Sequence, residues 1–389
     1  MPSWMFINAQ DRPAARRRQE VLAKIDSWWE AFRGKAAALD ELFRGQSNWE
    51  VAPWMTRHLG DIDARLTWEF GPDHVTGGHQ LVVTPESHKQ LRPLVATLID
   101  RAPALPDWSF SPYRLPESLD MARQLVEAKT GEPLPERLTV RANAGELNRI
   151  DVVVESPGFP RSDKQQALHQ AFVLVELLLG EEVLDKWVGT IEVERSRPGK
   201  HSLPPERLKP TVDALVVAAL DQLPSQPLWA EPSPDQGSVL KLEPGKQDDY
   251  PAKDDLLVAS TVYPQILVAS LNDPTFYSER FSRHDERFAY LKIDGREGAG
   301  TFADRSAMED ALEDALRPAG VGWVIGGGTG LRYSYIDLAL TNVGQAADLA
   351  RRVLQGGNVS RRSWLLFSDS EWHDEWVGVW DDSAAPPTD

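Results

Sequence analysis

The sequence predicts an α+β fold: two ferredoxin-like (βαββαβ) domains behind a helical N-terminal arm. Three observations predict it. Runs of β-type and helical periodicity follow the order strand, helix, strand, strand, helix, strand over 108–193 and again over 288–367, the order of the split βαβ arrangement. Short stretches recur between the halves: Arg149-Ile150-Asp151-Val152 resembles Tyr335-Ile336-Asp337-Leu338, and Asp185-Lys186-Trp187-Val188-Gly189 resembles Asp374-Glu375-Trp376-Val377-Gly378. A chain of 389 residues is also long enough for two domains. The expected division is a helical arm over 1–60, a first α+β domain over 61–195, and a Pro-rich connector with one short helix over 196–254. A second α+β domain over 255–382 and a tail over 383–389 complete it.

In chain order, 13–33 reads as an amphipathic helix with Val21, Leu22, Ile25, Trp28, Trp29 and Phe32 at helical spacing. Arg16-Arg17-Arg18 near its start reads as a solvated face or a basic contact point. A second short helix over 36–44 ends before Gly45. Residues 66–70 and 80–84 form a strand pair, and Ser87 caps a helix through Leu91, Leu94, Val95 and Leu98. A strand over 108–113, a helix over 117–129, strands over 138–142 and 150–155, a buried helix over 164–179 and a strand over 187–193 follow. Beyond a Pro-, Arg- and Lys-rich linker and a helix over 212–223, residues 224–254 read as a connector rich in turn formers. The second domain opens with β-like runs over 256–262 and 265–271, then a strand over 288–293. Ser306 to Glu309 spells a capping box opening a helix to Leu316. A helix over 344–355 and a strand over 364–367 close it.

Between those last helices lies the most distinctive stretch, Val321 to Leu340. Gly326-Gly327-Gly328-Thr329-Gly330 separates two β-rich runs and reads as a hairpin loop that needs positive φ or close backbone approach. Neither phosphate-loop template fits: no lysine follows the glycines, and the loop opens a strand rather than a helix. Arg332 and Tyr333 at its edge are candidate ligand contacts. On this Gly-rich loop and the Tyr333-x-Tyr335-x-Asp337 strand, residues 287–380 resemble an uncharacterised bacterial domain family of unknown function. Its members are sometimes found beside a domain resembling the regulator of ribonuclease E activity B. The resemblance implies no established activity and no catalytic residue, and it favours a regulatory or binding role.

The chain has no cysteine, which excludes disulfides, thiol nucleophiles and thiolate metal sites and suits a reducing cytoplasm. No apolar run is long enough for a membrane span. A net charge of −17 disfavours nucleic acid, whose binding rests on a basic face. No cofactor motif is present and no metal site is expected. His74 and His79 flank Gly77-Gly78 without a ligand spacing, and no G-x-S-x-G occurs. His284-Asp285-Glu286 and His373-Asp374-Glu375 invite an acid–base reading, but both lie in polar segments. Asp151 and Asp337 each end or flank a strand, or face one cleft. Finally, 367–382 interleaves carboxylates with Trp372, Trp376 and Trp380. Aromatic anchors among Asp374 and Glu375 suit an interface; the alternative packs the rings on the sheet and leaves the acids in solvent. The expectation is a non-catalytic protein-binding module for a basic partner, an inhibitor or immunity-type protein in its concrete form. The alternative is an enzyme acting near the Gly-rich hairpin or the His74/His79 loop.

Overall fold

The computed structural model describes residues 12–73, 77–160, 163–231, 236–297 and 299–388. The fold is α+β, and the chain divides into two compact units: Met1–Arg114 with Ser370–Trp376, and Leu115–Asp369 with Val377–Asp389. The expected connector over 196–254 therefore lies inside the second unit.

The first unit is built on one long helix, α1 (Arg12–Phe43), where two were expected. Gly34 does not break it: the helix formers on both sides outweigh a glycine cost of about 1 kcal/mol. Trp28 and Trp29 are both buried because α1 is covered on two sides. The Trp28 ring lies 5.3 Å from that of Trp54 on α2 (Val51–Gly60), and Trp29 packs edge-on at 4.8 Å against Phe110. The Trp29 indole N–H donates to the Leu98 carbonyl at 2.8 Å. Strands β1 (Thr67–Pro72) and β2 (His79–Thr84) are antiparallel. Helix α3 (Arg92–Asp100) crosses over to β3 (Trp108–Ser111), which lies parallel to β2. Ser87 does not cap α3; a 3-10 turn, Lys89–Leu91, intervenes.

The second unit opens with α4 (Leu119–Thr130), capped by Ser118. Strands β4 (Thr139–Ala144) and β5 (Ile150–Glu155), helices α5 (Lys164–Leu179) and α6 (Glu181–Trp187), and β6 (Val188–Glu194) follow. The run over 108–193 does not close into one four-stranded sheet. β3 commits Trp108 and Phe110 to the α1 aromatic cluster, and β4-β5-β6 form a separate three-stranded sheet with β5 central. Helix α7 (Leu208–Asp221) packs on that sheet.

A seven-stranded sheet follows. Its strands are β7 (Ser238–Lys241), β8 (Leu256–Thr261), β9 (Arg287–Asp294), β10 (Gly322–Gly330), β11 (Tyr333–Leu340), β12 (Ser363–Phe367) and β13 (Trp376–Gly378), in the spatial order β13-β12-β9-β11-β10-β8-β7. Within the βαββαβ run β9 to β12 the order is fourth-first-third-second, with all neighbours antiparallel. Residues 265–271, expected as β, form helix α8 (Pro264–Asn272): Pro264 takes the first helical position, and Ile266, Leu267 and Ala269 are buried. Helix α9 (Arg305–Leu316) is capped by Asp304, which accepts from the Ala307 N–H, and not by the expected Ser306. Helix α10 (Val343–Gly356) is capped by Asn342. The recurring Ile-Asp segments fall in unlike places, the start of β5 and the middle of β11, so the strand arrangement does not repeat.

Candidate functional site

The glycine run is strand, not loop. Gly326 to Gly330 all belong to β10, none has positive φ, and the connection is the two residues Leu331-Arg332. What these positions require is close approach. A Cβ at Gly326 would overlap the Ser260 carbonyl, at Gly328 the Leu256 side chain, and at Gly330 the Asp255 carboxylate. On the opposite face, a Cβ at Gly327 would stand 2.5 Å from Glu309 Oε1 and the Tyr335 carbonyl.

Register then assembles the polar cluster. Tyr335 lies between Gly328 and Lys292, Tyr333 opposite Asp294, and Asp337 between Gly326 and Tyr290. Alternation puts these side chains on one face of the sheet. Residues 249–255 cover that face. Asp255, fully buried, accepts from the backbone N–H groups of Arg332 (2.7 Å) and Tyr333 (2.9 Å) and from the Tyr335 hydroxyl. Asp249 accepts from the Tyr333 hydroxyl at 2.6 Å and from Arg362 at 2.6 Å. Arg332 donates to Asp294 at 2.9 and 2.6 Å, and Lys253 pairs with Asp337 at 2.5 Å. The Lys292 ammonium, fully buried, donates to the Tyr250 carbonyl and lies 4.2 Å from the centre of the Tyr333 ring.

Four carboxylates (Asp249, Asp255, Asp294, Asp337) thus face four cations (Lys253, Lys292, Arg332, Arg362), and Asp254 of the covering segment adds a further negative charge near Lys292. Burial lowers Lys292 to about 8 against the pull of the neighbouring aspartates. Burial, reinforced by hydrogen bonding to Asp249, raises Tyr333 to about 12. Burial first, and then Asp255, hold Tyr335 still further above its ordinary value. Burial pushes Asp249 up, but the Tyr333 hydroxyl, the Tyr250 N–H and the two guanidinium groups outweigh it and hold the carboxyl low. Chemically this is a closed ionic and phenolic network rather than a set of groups aimed at a substrate. The opening nearest the hairpin is on the other face: a groove of about 390 Å³ whose lining includes Ile293, Asp304, Arg305, Ser306, Thr329 and Ser334.

Of the expected site residues, Arg332 and Tyr333 join this network, and both are buried or nearly so. The acidic C-terminal stretch is not one exposed aromatic surface. Trp372 is 2% exposed in a 3-10 turn, Ser370–Trp372, of the first unit. Trp380 is half-buried in the second, its indole N–H on the Val359 carbonyl at 3.1 Å and Arg361 stacked 4.1 Å above it. Asp369 is fully buried and accepts from the Ser278 N–H (2.6 Å) and hydroxyl (2.5 Å); burial raises its carboxyl despite Arg287. Asp374 is exposed, and Glu375 and Trp376 are half-buried.

His74 lies outside the described residues. His79 Nε2 is 3.1 Å from Asp40 Oδ1, packed beside Phe43 and Trp108. Glu286 is buried and held by the Leu228 N–H and the Ser282 hydroxyl, each at 2.8 Å; burial raises its carboxyl. Asp151 accepts from the Thr190 N–H and hydroxyl on the β4-β5-β6 sheet, a different sheet from that of Asp337. Among the described residues, no group of three or more His, Asp and Glu side chains is placed to hold a metal.

Sequence reasoning missed Asp249, Lys253, Asp255, Lys292, Asp294 and Arg362. One signal was available: Lys292 interrupts an otherwise apolar strand, Phe288-Ala289-Tyr290-Leu291-Lys292-Ile293, and an ammonium there must find partners. No family model matches the chain, and no curated protein and no solved structure matches it.

Proposed function

We propose that this chain is a non-catalytic protein-binding module whose partner presents a basic surface, in an inhibitor or immunity-type role. One observation carries the reading. The charged and phenolic groups beside the glycine strand bond to one another under residues 249–255, leaving that face a structural element rather than a reaction centre. The −17 net charge supports a basic partner, since opposite fields accelerate encounter. Exposed Asp374 with half-buried Glu375 and Trp376 forms the contact surface in this proposal. The same reading takes β9 to β12 as a ferredoxin-like module, on their strand order. It also takes the bacterial family resemblance at face value and places the chain in the cytoplasm, which the absence of cysteine suits. Among the described residues no helix is long and apolar enough to cross a membrane.

The test is to cross-link partners in cells, identify and purify them, and titrate each against the chain over a salt series. Binding that weakens with salt and is reduced by Asp374→Ala and Trp376→Ala supports the reading. Retention of nucleic acid through a high-salt wash would overturn it. A second reading, an enzyme acting near the hairpin, is favoured by the groove lined by Arg305, Ser306, Thr329 and Ser334. A metabolite that raises the melting temperature of the chain, but not that of Arg305→Ala, would select it.

A further inference from the structure

Helix α7 carries seven consecutive apolar residues, Ala214-Leu215-Val216-Val217-Ala218-Ala219-Leu220. A helix apolar on all sides belongs in an interior. Yet of its residues only Leu208 and Val212 are fully buried, while Leu215, Val216, Ala219 and Leu220 are partly covered by the β4-β5-β6 core. Val217 is 57% exposed, and Ala214 and Ala218 are exposed beside it.

The uncovered stripe runs Arg207, Pro210, Ala214, Val217, Ala218, Asp221, all exposed, at the 3-4-3 spacing of one helix face. Its centre is small and apolar. Its ends carry opposite charges, and among the described residues neither Arg207 nor Asp221 has an ion-pair partner within the chain. The neighbouring charges on the helix are already spent on each other: Lys209 pairs with Asp213 at 2.8 Å.

This pattern is complementary to itself. If a second copy lies antiparallel with Ala214 on the two-fold axis, Arg207 meets Asp221, Pro210 meets Ala218, and Thr211 meets Val217. The same three contacts repeat on the other side of the axis, as an isologous interface demands. The two ion pairs are separated by about 21 Å of helix, and the alanines between them permit close approach of the axes. A parallel pairing would set Arg207 against Arg207 and Asp221 against Asp221. We propose that α7 is a homodimer seam, pairing antiparallel with α7 of a second copy about Ala214.

A single-helix seam is small beside standard interfaces, so the dimer is expected to be reversible and to show as a concentration-dependent rise in sedimentation coefficient. Sedimentation velocity at about 0.15 M salt, where the Debye length of about 8 Å screens the repulsion between two acidic copies, gives the reading. Val217→Glu should abolish the dimer while leaving the circular dichroism melt unchanged, because the side chain is exposed. Arg207→Asp and Asp221→Arg should each weaken dimerisation by about tenfold, since each turns two attractive pairs repulsive. The double exchange should return it to within about threefold of the parent. A parent chain that stays monomeric at every concentration would overturn the proposal. A dimer indifferent to Val217→Glu would place the seam elsewhere, and single exchanges that the double does not rescue would refute the antiparallel register.

Discussion

At the scale of residues, the same substitution is expected to have opposite signs at two glycines. Gly326→Ala drives a methyl group into the Ser260 carbonyl and should destabilise by about 2 kcal/mol. Gly344→Ala, in the first turn of α10, meets nothing closer than 3.9 Å and should stabilise by about 0.5 kcal/mol through the unfolded chain. Urea midpoints of the two variants check both. Lys292 makes a pH-dependent case. Its folded value of about 8 lies below the unfolded 10.5, so between those values the unfolded chain binds more protons and stability gains with rising pH. Below pH 8 the full cost of burying the ammonium, about 3 kcal/mol, is present. Lys292→Met should therefore show its most favourable difference from the parent below pH 8, and that difference should shrink as pH rises toward 10.5. A pH-independent difference would show that the lysine is not titrating in the fold.

At the scale of elements, residues 249–255 and the β10–β11 hairpin depend on one carboxylate. Asp255→Ala strands two backbone N–H groups, leaves the Tyr335 hydroxyl only the Ala252 carbonyl at 3.3 Å, and should cost about 3 kcal/mol. Tyr335→Phe removes the same Tyr335–Asp255 bond, so the double variant should lose less than the sum of the singles in denaturant melts. The elements themselves were largely legible: β9, β11 and α5 read from near-continuous apolar runs and are buried on most sides, and α10 packs the one face that its periodicity requires. The failures share a cause. Residues 265–271 read as β from Ile266, Leu267 and Val268, but Pro264 and burial on one side made them α8. The glycines of β10 read as a turn because the sequence does not show which segment crosses above them. For Trp372 and Trp380 the sequence left open an interface or rings packed on the sheet beside solvated acids, and neither alternative foresaw a buried carboxylate. In fact Asp369 is buried on Ser278, 91 positions away, and no local pattern encodes a partner at that distance.

At the scale of the whole molecule, the −17 net charge sets the response to salt. Self-repulsion of the compact state is relieved as the Debye length shortens, so the melting temperature should rise between very low salt and about 0.15 M. A fall would mean that attraction within pairs such as Arg332–Asp294 outweighs the general repulsion. The C-terminal stretch is a seam of the second unit: Trp364 donates to the Ala384 carbonyl at 2.6 Å, and the Val379 N–H donates to Ser363 at 2.9 Å. Deleting 377–389 should therefore lower the melting temperature by several degrees, which a thermal scan reads. Loss of partner binding in such a truncation would report unfolding rather than a lost contact.

The covering segment also imposes a timetable. Asp249 is made early and bonds to Arg362, 113 positions later. β9 likewise waits for both of its neighbours, β11 and β12. At about 5–20 residues per second of synthesis, the ribosome takes roughly 6 to 23 seconds to cross that interval. Until β12 is made, the edge of β9 that it covers stays open, whereas the glycine strand meets its neighbours β8 and β11, and the lysine its Tyr250 carbonyl, earlier in that interval. The sheet is therefore completed only once β12 and β13 have been made, and nascent β9 is where a holdase chaperone would be needed most.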